Sequence, residues 1–327
     1  MKILFFTNSQ NLNLGSYRIW INDLNAYFNE CGIESAIISK DTNIDDHDAI
    51  ICGKSDAGLA IEMKRKFPNK KVGVINLAAD KKNLPLDFVI AGSLEEMDSL
   101  SHYDNVFLYP LIEKTYQNKM DYKTHSPVDT LRIGFHGHYP HLSKFEPSLK
   151  NALEKFNDIC KIELLVITGN PEFKWKYGRP NVDIVHKPWS LETIKNDLLS
   201  CDIGIVPNVT YLNTENLPTS IDRGLYNTDY ILRFKNKSNA GRCFVFHQLG
   251  IPIIADFTPS NFHILGDLKS GFVAHSENSW FKALMKLRDH KLRQKVADNA
   301  KMEFDRLYNP HDWATRLYKN ILEINNE

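Results

Sequence analysis

The stretch Phe234-Lys-Asn-Lys-Ser-Asn-Ala-Gly-Arg-Cys-Phe-Val-Phe-His-Gln-Leu-Gly-Ile-Pro-Ile-Ile-Ala-Asp256 decides the fold. A basic polar turn, an apolar segment, a glycine and a β-branched run follow one another. This order predicts a loop, a helix that ends at Gly250 and a strand. The unpaired N–H groups at a helix N-terminus suit an anion such as phosphate. The alternative at this point is an ordinary capped helix with solvated lysines.

The bulk composition describes a globular protein of about two domains. The chain has 327 residues, and domains average roughly 150 residues. Lys+Arg and Asp+Glu both number 40, so the net charge of zero argues against a nucleic-acid-binding protein. The five cysteines form no Cys-x-x-Cys pair. They predict reduced core thiols, with neither a zinc site nor a disulfide framework.

The N-terminal segment Met1–Thr7 is too short for a signal sequence and predicts a first buried strand. No apolar run approaches the roughly 18 residues of a membrane span. We therefore expect a cytoplasmic protein. Lysine-rich patches at 64–66 and 70–71 leave peripheral contact with a membrane open, and the alternative is a solvated face.

Strands and helices alternate in both halves of the chain. Strands are predicted at 2–7, 33–38, 48–52, 71–76, 86–91 and 105–109, and again at 131–136, 162–168, 182–185, 201–207, 251–256 and 271–275. Helices are predicted at 16–30, 145–158, from 190 onward, and at 239–249, 277–289, 291–306 and 311–324. In the first of them Ser16 is the predicted cap, Gly32 follows the predicted end, and one face carries Trp20, Leu24, Tyr27 and Phe28. One face of the last helix carries Trp313, Leu317, Ile321 and Leu322. Parallel strands joined by helices predict α/β domains of the doubly wound, Rossmann-like type.

The domain organisation follows from a break in this rhythm. Residues 112–130 are polar and mixed in charge, which predicts a linker. We expect an N-terminal domain over 1–125, a C-terminal domain over 126–308 and a final helix over 309–327 that packs back on the N-terminal domain. The polar segment 208–236 is too long for a simple connection and is a candidate functional loop.

Six short motifs stand in order along the chain: Leu14-Gly-Ser-Tyr-Arg-Ile19, Ile133-Gly-Phe-His-Gly-His138, Pro188-Trp-Ser190, Cys201-Asp-Ile-Gly-Ile-Val-Pro207, Lys237-Ser-Asn-Ala-Gly-Arg242 and Leu249-Gly-Ile-Pro252. They resemble motifs of the GT-B glycosyltransferases, and in particular of bacterial group 1-like (glycosyltransferase family 4-like) enzymes. The resemblance implies two Rossmann-like domains with an interdomain cleft. It also implies an N-terminal acceptor side, a C-terminal nucleotide-sugar donor side and a C-terminal helix.

One departure from the family pattern concerns the donor ribose. Many retaining members carry two glutamates, which would fall at Lys237 and Val245 of this chain. Because both are absent, the usual carboxylate contact to the ribose does not carry over. The sequence leaves open whether the sugar keeps its anomeric configuration.

The predicted donor site combines cations with glycine-permitted backbone. Leaving diphosphate charge can be met by cationic side chains and helix N-terminal amides without a metal. The candidates for donor or phosphate binding are His136, Gly137, His138, Lys237, Ser238, Asn239 and Arg242. The alternatives are a solvated arginine and histidines of an ordinary surface turn. Trp189 is a candidate for the nucleobase pocket, and a core tryptophan is its alternative.

The acceptor side offers Gly15, Ser16 and Arg18, which alternatively form a plain turn. Asp80 is the candidate catalytic base, ahead of Glu95 and His102. No metal site or cofactor is predicted beyond the nucleotide sugar, which is a co-substrate.

The candidate residues and the family resemblance together predict a metal-independent glycosyltransferase. It would join a sugar to a saccharide or lipid-linked acceptor in bacterial surface polysaccharide or glycan assembly. The first alternative is a nucleotide-sugar epimerase-like enzyme, which needs no acceptor. The second is a non-catalytic nucleotide-sugar-binding protein, which the missing glutamate pair suggests. A Rossmann dehydrogenase is disfavoured because no Gly-x-Gly-x-x-Gly follows the first strand.

Overall fold

The chain folds into two compact units in a computed structural model. The structure describes residues 1–54, 56–77, 81, 83–118, 120–145, 147–209, 239–265 and 269–324. The first unit comprises Met1–Lys114 together with the chain from Tyr308 onward, and the second comprises Thr115–Leu307. The units divide after Lys114, whereas the sequence suggested a boundary after residue 125.

The first unit is built on a sheet of six parallel strands in the order β2-β1-β3-β4-β5-β6. The strands are β1 (Ile3–Phe6), β2 (Ser35–Ile37), β3 (Ala49–Cys52), β4 (Lys71–Ile75), β5 (Phe88–Ala91) and β6 (Val106–Leu108). Helices lie between β1 and β2, between β3 and β4 and between β5 and β6, and this half has the predicted doubly wound α/β form.

The first helical stretch has three parts: α1 (Gly15–Tyr17), a π-helical segment (Arg18–Asp23) and α2 (Leu24–Glu30). The predicted cap at Ser16 is wrong. The carbonyl of Leu14 already accepts from the N–H groups of the third and fourth residues after it, so the helix begins one residue before Ser16. Gly32 has a φ of 73° and ends the helix as predicted.

The predicted inward face of this stretch is confirmed, because Trp20, Leu24, Tyr27 and Phe28 are all buried. The other helices of this half are α3 (Ala57–Lys66) and α4 (Leu94–Ser99).

The second unit is built on another six-stranded parallel sheet, in the order β12-β11-β10-β7-β8-β9. The strands are β7 (Leu131–His136), β8 (Ile162–Thr168), β9 (Asp183–Pro188), β10 (Ile203–Val206), β11 (Ile253–Asp256) and β12 (Phe272–Ala274). Counted from β7, this is the Rossmann order 3-2-1-4-5-6 read in reverse. The strand order changes direction between β7 and β10, which is where such sheets bind ligands.

The helices of the second unit are α5 (Pro140–Ser143), α6 (Pro147–Asn157), α7 (Ile194–Leu199), α8 (Gly241–Gln248), α9 (Pro259–Leu265), α10 (Glu277–Leu287) and α11 (His290–Leu307). The helix predicted to open at Ser190 begins only at Ile194. The Ser190 hydroxyl instead accepts from Glu192 N–H at 3.3 Å, in a local turn.

The last helix, α12 (Pro310–Glu323), packs on α2 of the first unit. Its Leu317 and Ile321 lie in the same apolar core as Phe28. Leu322 was predicted on this face but is 50% exposed. The neighbouring position on a helix is rotated by about 100°, so Leu322 cannot share the face of Ile321.

The predicted linker, residues 112–130, is fastened in part to the second unit. Lys123 N–H donates to the carbonyl of Leu249 at 2.9 Å. The buried His125 ring donates from Nε2 to the Gly250 carbonyl, also at 2.9 Å. These bonds hold the turn that ends α8, so this part of the segment stabilises the C-terminal end of that helix.

We predict that Gly250→Ala strongly destabilises the second unit. Gly250 has a φ of 69°, and a Cβ atom there would lie 2.3 Å from the Tyr122 ring. Backbone strain and overpacking together should cost about 2–4 kcal/mol. Gly178→Ala is the matched control: its φ is 84°, but the nearest atom, on Lys150, lies 3.8 Å away. Strain alone predicts a loss of about 1 kcal/mol. Equal losses in urea-induced unfolding would contradict the crowding at Gly250.

Candidate functional site

The candidate site lies at the carboxyl edge of the second sheet, where the strand order changes direction. The chain leaves β7 after His136 and leaves β10 after Val206, and these two strands are neighbours. In sheets of this order the connections from two such strands leave to opposite faces, and a crevice for ligands opens between them. Helix α8 begins beside this crevice and supplies Arg242.

Arg242 bonds to the chain that follows β10. Its Nη2 donates to the Pro207 carbonyl at 2.8 Å and also bonds the side-chain oxygen of Asn208. The guanidinium lies 5.7 Å from the centre of the Phe135 ring on β7. The Nη1 atom of Arg242 and the Nδ2 atom of Asn208 are buried and have no hydrogen-bond partner among the described residues. Two donor groups at one strand end are therefore available to an acceptor such as a phosphate oxygen.

Gly137 makes room for this arginine. Its φ of 116° lies in the region that favours glycine, and a Cβ atom would come within 3.2 Å of Arg242 Cδ. A larger residue would strain the backbone and press on the arginine stem. The structure thus brings Gly137 and Arg242 of the predicted donor group together.

Burial opposes the charged forms of the basic side chains at this site. Burial, together with Arg242 and His138, lowers the pKa of His141 to about 2. Partial desolvation lowers the pKa of His138 as well, although that residue is largely exposed, and Lys144 and Arg242 contribute. Burial also lowers the pKa of Arg242 to about 10. An anion placed among these groups would stabilise each charged form, so the electrostatics favour an anionic ligand.

The predicted histidines take different positions. His138 is exposed, and its ring lies 6.1 Å from that of His141. His136 is only 5% exposed and packs edge-on against Phe246 at 5.2 Å, beneath the surface of the edge. His141 accepts the Val209 N–H on Nδ1 at 3.2 Å, which leaves the proton of a neutral ring on Nε2.

The structure describes two of the remaining candidate residues, Asn239 and Trp189. Asn239 accepts the Gly241 N–H at 3.1 Å and shapes the turn before α8. Trp189 directly follows β9, and its N–H donates to the Thr168 carbonyl at 3.0 Å. It therefore lies at the same carboxyl edge as β7, two strands away. Lys237, Ser238 and the candidate base Asp80 lie outside the described residues.

In the first unit, Arg18 forms a buried ion pair with Glu113. Its Nη2 lies 2.7 Å from Glu113 Oε2, and its Nη1 donates to the Leu12 carbonyl at 2.8 Å. These bonds fix the loop that follows β1. Gly15 and the exposed Ser16 lie next to this loop, and a Cβ atom at Gly15 would meet nothing closer than 3.7 Å. Gly15 and Ser16 thus remain accessible, whereas Arg18 holds the fold.

Sequence reasoning missed Glu96, which lies at the carboxyl edge of the first sheet. Its Oε2 accepts the Gly92 N–H at 2.7 Å. Burial raises its pKa to about 7, against the opposing effects of that bond, of Lys54 and of Asn76. The signal in the sequence was the spacing Ser93-x-x-Glu96, typical of a capped helix start. The other missed residue, Asn208, follows a strand end and could have been found by the rule for parallel sheets.

The lysine patches predicted for membrane contact largely serve the fold. Lys64 bonds Asp87 at 2.8 Å, Lys70 bonds the Asp45 carbonyl at 3.1 Å, and Lys71 bonds the Leu322 carbonyl at 2.8 Å. No helix within the described part of the chain has both the length and the apolar character needed to cross a membrane. Across the same residues, no three His, Cys, Asp or Glu side chains lie where they could hold a metal ion together.

Comparisons with solved structures identify the fold. The chain is similar to sucrose-phosphate synthase from Thermosynechococcus elongatus, with a TM-score of 0.65, 10% identity, and coverage of 99% of this chain and 100% of that one. For HepE from Anabaena in complex with UDP, the TM-score is 0.62, the identity 12% and the coverage 98% and 100%. For a glycosyltransferase from Rickettsia africae, the TM-score is 0.59 and the identity 13%, and the match covers 99% of this chain and 99% of that one.

The chain therefore has the GT-B fold, as the sequence predicted. No protein-family model matches the sequence, and a sequence search of curated proteins finds no relative. The narrower resemblance to group 1-like enzymes stays a prediction.

We predict that Arg18→Met destabilises the first unit by about 3 kcal/mol at pH 8, because it leaves the buried Glu113 unpaired. Burial already raises the pKa of Glu113, and Arg18 opposes that rise. Without Arg18 the carboxyl protonates more readily, so the deficit should shrink as the pH falls toward 5. The double variant Arg18→Met/Glu113→Leu should recover most of the loss in urea unfolding. A stable Arg18→Met variant with altered nucleotide binding would instead favour the predicted ligand role.

Proposed function

We propose that the protein is a glycosyltransferase that moves a sugar from a nucleotide-sugar donor to a saccharide or glycolipid acceptor. The second unit binds the donor and the first binds the acceptor. The GT-B fold supports this proposal, since neighbours that share it over nearly their whole length are solved with UDP or UDP-glucose. UDP is therefore the first nucleotide to test.

The observation that carries the proposal is the pair of unused donors at the change in strand order. Arg242 Nη1 and Asn208 Nδ2 are buried without a partner among the described residues, and leaving such donors unmatched costs about 1–3 kcal/mol each. A diphosphate bridging them would supply the missing acceptors. As charge develops on the leaving diphosphate, the guanidinium and the N-terminal amides of α8 would stabilise it in place of a metal ion.

The wider setting is also part of the proposal. By resemblance to group 1-like enzymes, we place the reaction in bacterial surface polysaccharide or glycan assembly, on the cytoplasmic side of the membrane. Arg65 and Lys66 are the exposed cations of the lysine patches, and they offer the surface for peripheral contact with anionic lipid. Flotation with vesicles containing anionic lipid tests this contact, and an absence of binding would remove it from the proposal.

We predict that UDP raises the melting temperature of the second unit, because a ligand that binds only the folded state stabilises it by mass action. The thermal-shift panel comprises UDP, GDP, CDP, dTDP and CMP, each alone and as a sugar conjugate. Arg242→Lys keeps the charge but loses the forked pair of donors. It should weaken UDP binding about tenfold, the usual weight of one charge-assisted bond.

Arg132→Lys is the matched control for this variant. Arg132 lies at the amino end of β7, at the opposite edge of the same sheet, and pairs with Glu163 at 2.5 Å. UDP binding should be unchanged in this control. If no nucleotide raises the melting temperature, or if Arg242→Lys binds UDP like the unaltered protein, the donor site is misassigned.

We predict sugar transfer in the presence of EDTA, because the site uses side-chain cations. Product analysis with UDP-glucose and a panel of saccharide acceptors should show a new glycoside and released UDP. Transfer abolished by EDTA and restored by Mg²⁺ would contradict metal independence. A changed sugar nucleotide without acceptor would indicate the epimerase-like alternative, and binding without turnover would indicate the non-catalytic one.

A further inference from the structure

A hydrogen bond joins the two connections that leave neighbouring strands of the second sheet. Strand β7 leads through Gly137 to α5, which carries His141, and β10 leads into residues 207–209. The backbone N–H of Val209 donates to Nδ1 of His141 at 3.2 Å, across 68 positions of sequence. The bond therefore links the two strand ends between which the candidate donor site lies.

The end of β10 differs from other strand ends of this sheet. At three of them the first N–H beyond the strand donates to a carbonyl of the neighbouring strand: Gly137 to Ile167, Trp189 to Thr168 and Phe257 to Ala274. Strand β10 is followed by Pro207, which has no N–H and cannot extend the ladder in this way. Val209 N–H donates to a side chain instead. A histidine rather than a strand thus determines where the chain leaves β10.

His141 holds Val209 from a fixed position. Leu142, the next residue, is 4% exposed and lies in the apolar core of the unit. The Ser143 carbonyl accepts the Lys176 N–H at 2.8 Å, which joins α5 to the connection that follows β8. Packing and backbone bonds therefore keep the helix, and with it the imidazole, in place.

The same three residues are also bound from α8. The Arg242 guanidinium donates to the Pro207 carbonyl at 2.8 Å and bonds the side-chain oxygen of Asn208. Arg242 and His141 together thus hold residues 207, 208 and 209. Asn208 is 4% exposed, and its Nδ2 has no hydrogen-bond partner among the described residues. The two sets of bonds fix the strand end that carries this unused donor.

The bond defines the chemical group that position 141 requires. Val209 N–H needs an acceptor, which Nδ1 of a neutral imidazole supplies and a protonated ring does not. The oxygen of an asparagine is attached to Cγ, as Nδ1 is, so asparagine can take over this role. Phenylalanine keeps the ring shape without an acceptor, and glutamine places its oxygen one carbon further from the backbone.

We propose that His141 is a positioning residue for the nucleotide-sugar donor: by accepting the Val209 N–H, it holds the strand end that carries Asn208 where the diphosphate binds. This inference rests on the proposed function, which assigns the donor to the second unit. His141 acts through Asn208, and the role requires no contact between its ring and the donor.

The first test compares variants at position 141 by the UDP dissociation constant and by KM and kcat for UDP-glucose. His141→Phe should weaken UDP binding and raise the KM about fivefold, the usual weight of one neutral hydrogen bond. The kcat should change little, because the lost interaction serves ground state and transition state alike. His141→Gln should behave like His141→Phe, and His141→Asn should remain within about twofold of the unaltered protein.

His125→Phe is the matched control for general destabilisation. His125 is also a buried histidine bonded to backbone in the second unit, but it bonds Gly250, beyond the end of α8 that lies away from Arg242. This variant should lower the melting temperature because it loses that bond. The KM for UDP-glucose should stay within about twofold of the original value.

A second test asks whether His141 acts through Asn208. Asn208→Ala should itself weaken UDP binding, since it removes the unused donor. In that background His141→Phe should add less than about twofold, because residues that work through one another are not additive. A purely structural defect at position 141 would weaken UDP binding by the same factor in both backgrounds.

The outcomes separate this inference from the proposed function. If the unaltered protein binds no nucleotide, the proposed function fails and the donor role of His141 fails with it. If UDP binds and His141→Phe and His141→Gln bind it as tightly, only the inference is overturned. The same holds if His141→Asn is as weak as His141→Phe, or if the losses at positions 141 and 208 multiply.

Discussion

The parallel pairing of strands is the constraint on which the rest of the structure depends. Each described pairing in both sheets runs parallel. Every strand of a sheet therefore ends at the same edge, and the residues that follow separate strands become neighbours there. Residues 137 and 208 are far apart along the chain, yet the pairing of β7 with β10 brings them to one crevice. Residues 76 and 92 meet for the same reason.

Charged groups are buried at the carboxyl edges of both sheets, a basic group at one and an acidic group at the other. At the second sheet, burial lowers the pKa values of His141 and Arg242, and Arg242 keeps a buried donor without a partner among the described residues. At the first sheet, the Glu96 carboxyl accepts the Gly92 N–H, and burial still raises its pKa to about 7. Each edge is thus less stable by itself than a fully paired apolar arrangement would be. Such local costs are common where a protein binds a ligand.

The sequence was sufficient to predict the fold class, because strand and helix periodicities alternate along the chain and the strands are apolar on both faces. It also pointed to Gly137 and Arg242, since both stand where a strand ends or a helix begins. It could not reveal that Arg18 is paired with Glu113, a partner 95 positions away. Nor could it show the raised pKa of Glu96, because burial depends on packing that no local pattern encodes.

The division of the first unit into two separate stretches of chain affects how the protein is made. Residues 1–114 leave the ribosome before the second unit, but the helix that covers α2 lies beyond residue 308. Until that helix emerges, the apolar face formed by Phe28 and its neighbours has no cover. Newly synthesised domains generally fold in order from the N-terminus, and uncovered apolar surface promotes aggregation. The nascent first unit therefore remains incomplete, with an exposed apolar face, throughout synthesis of the second.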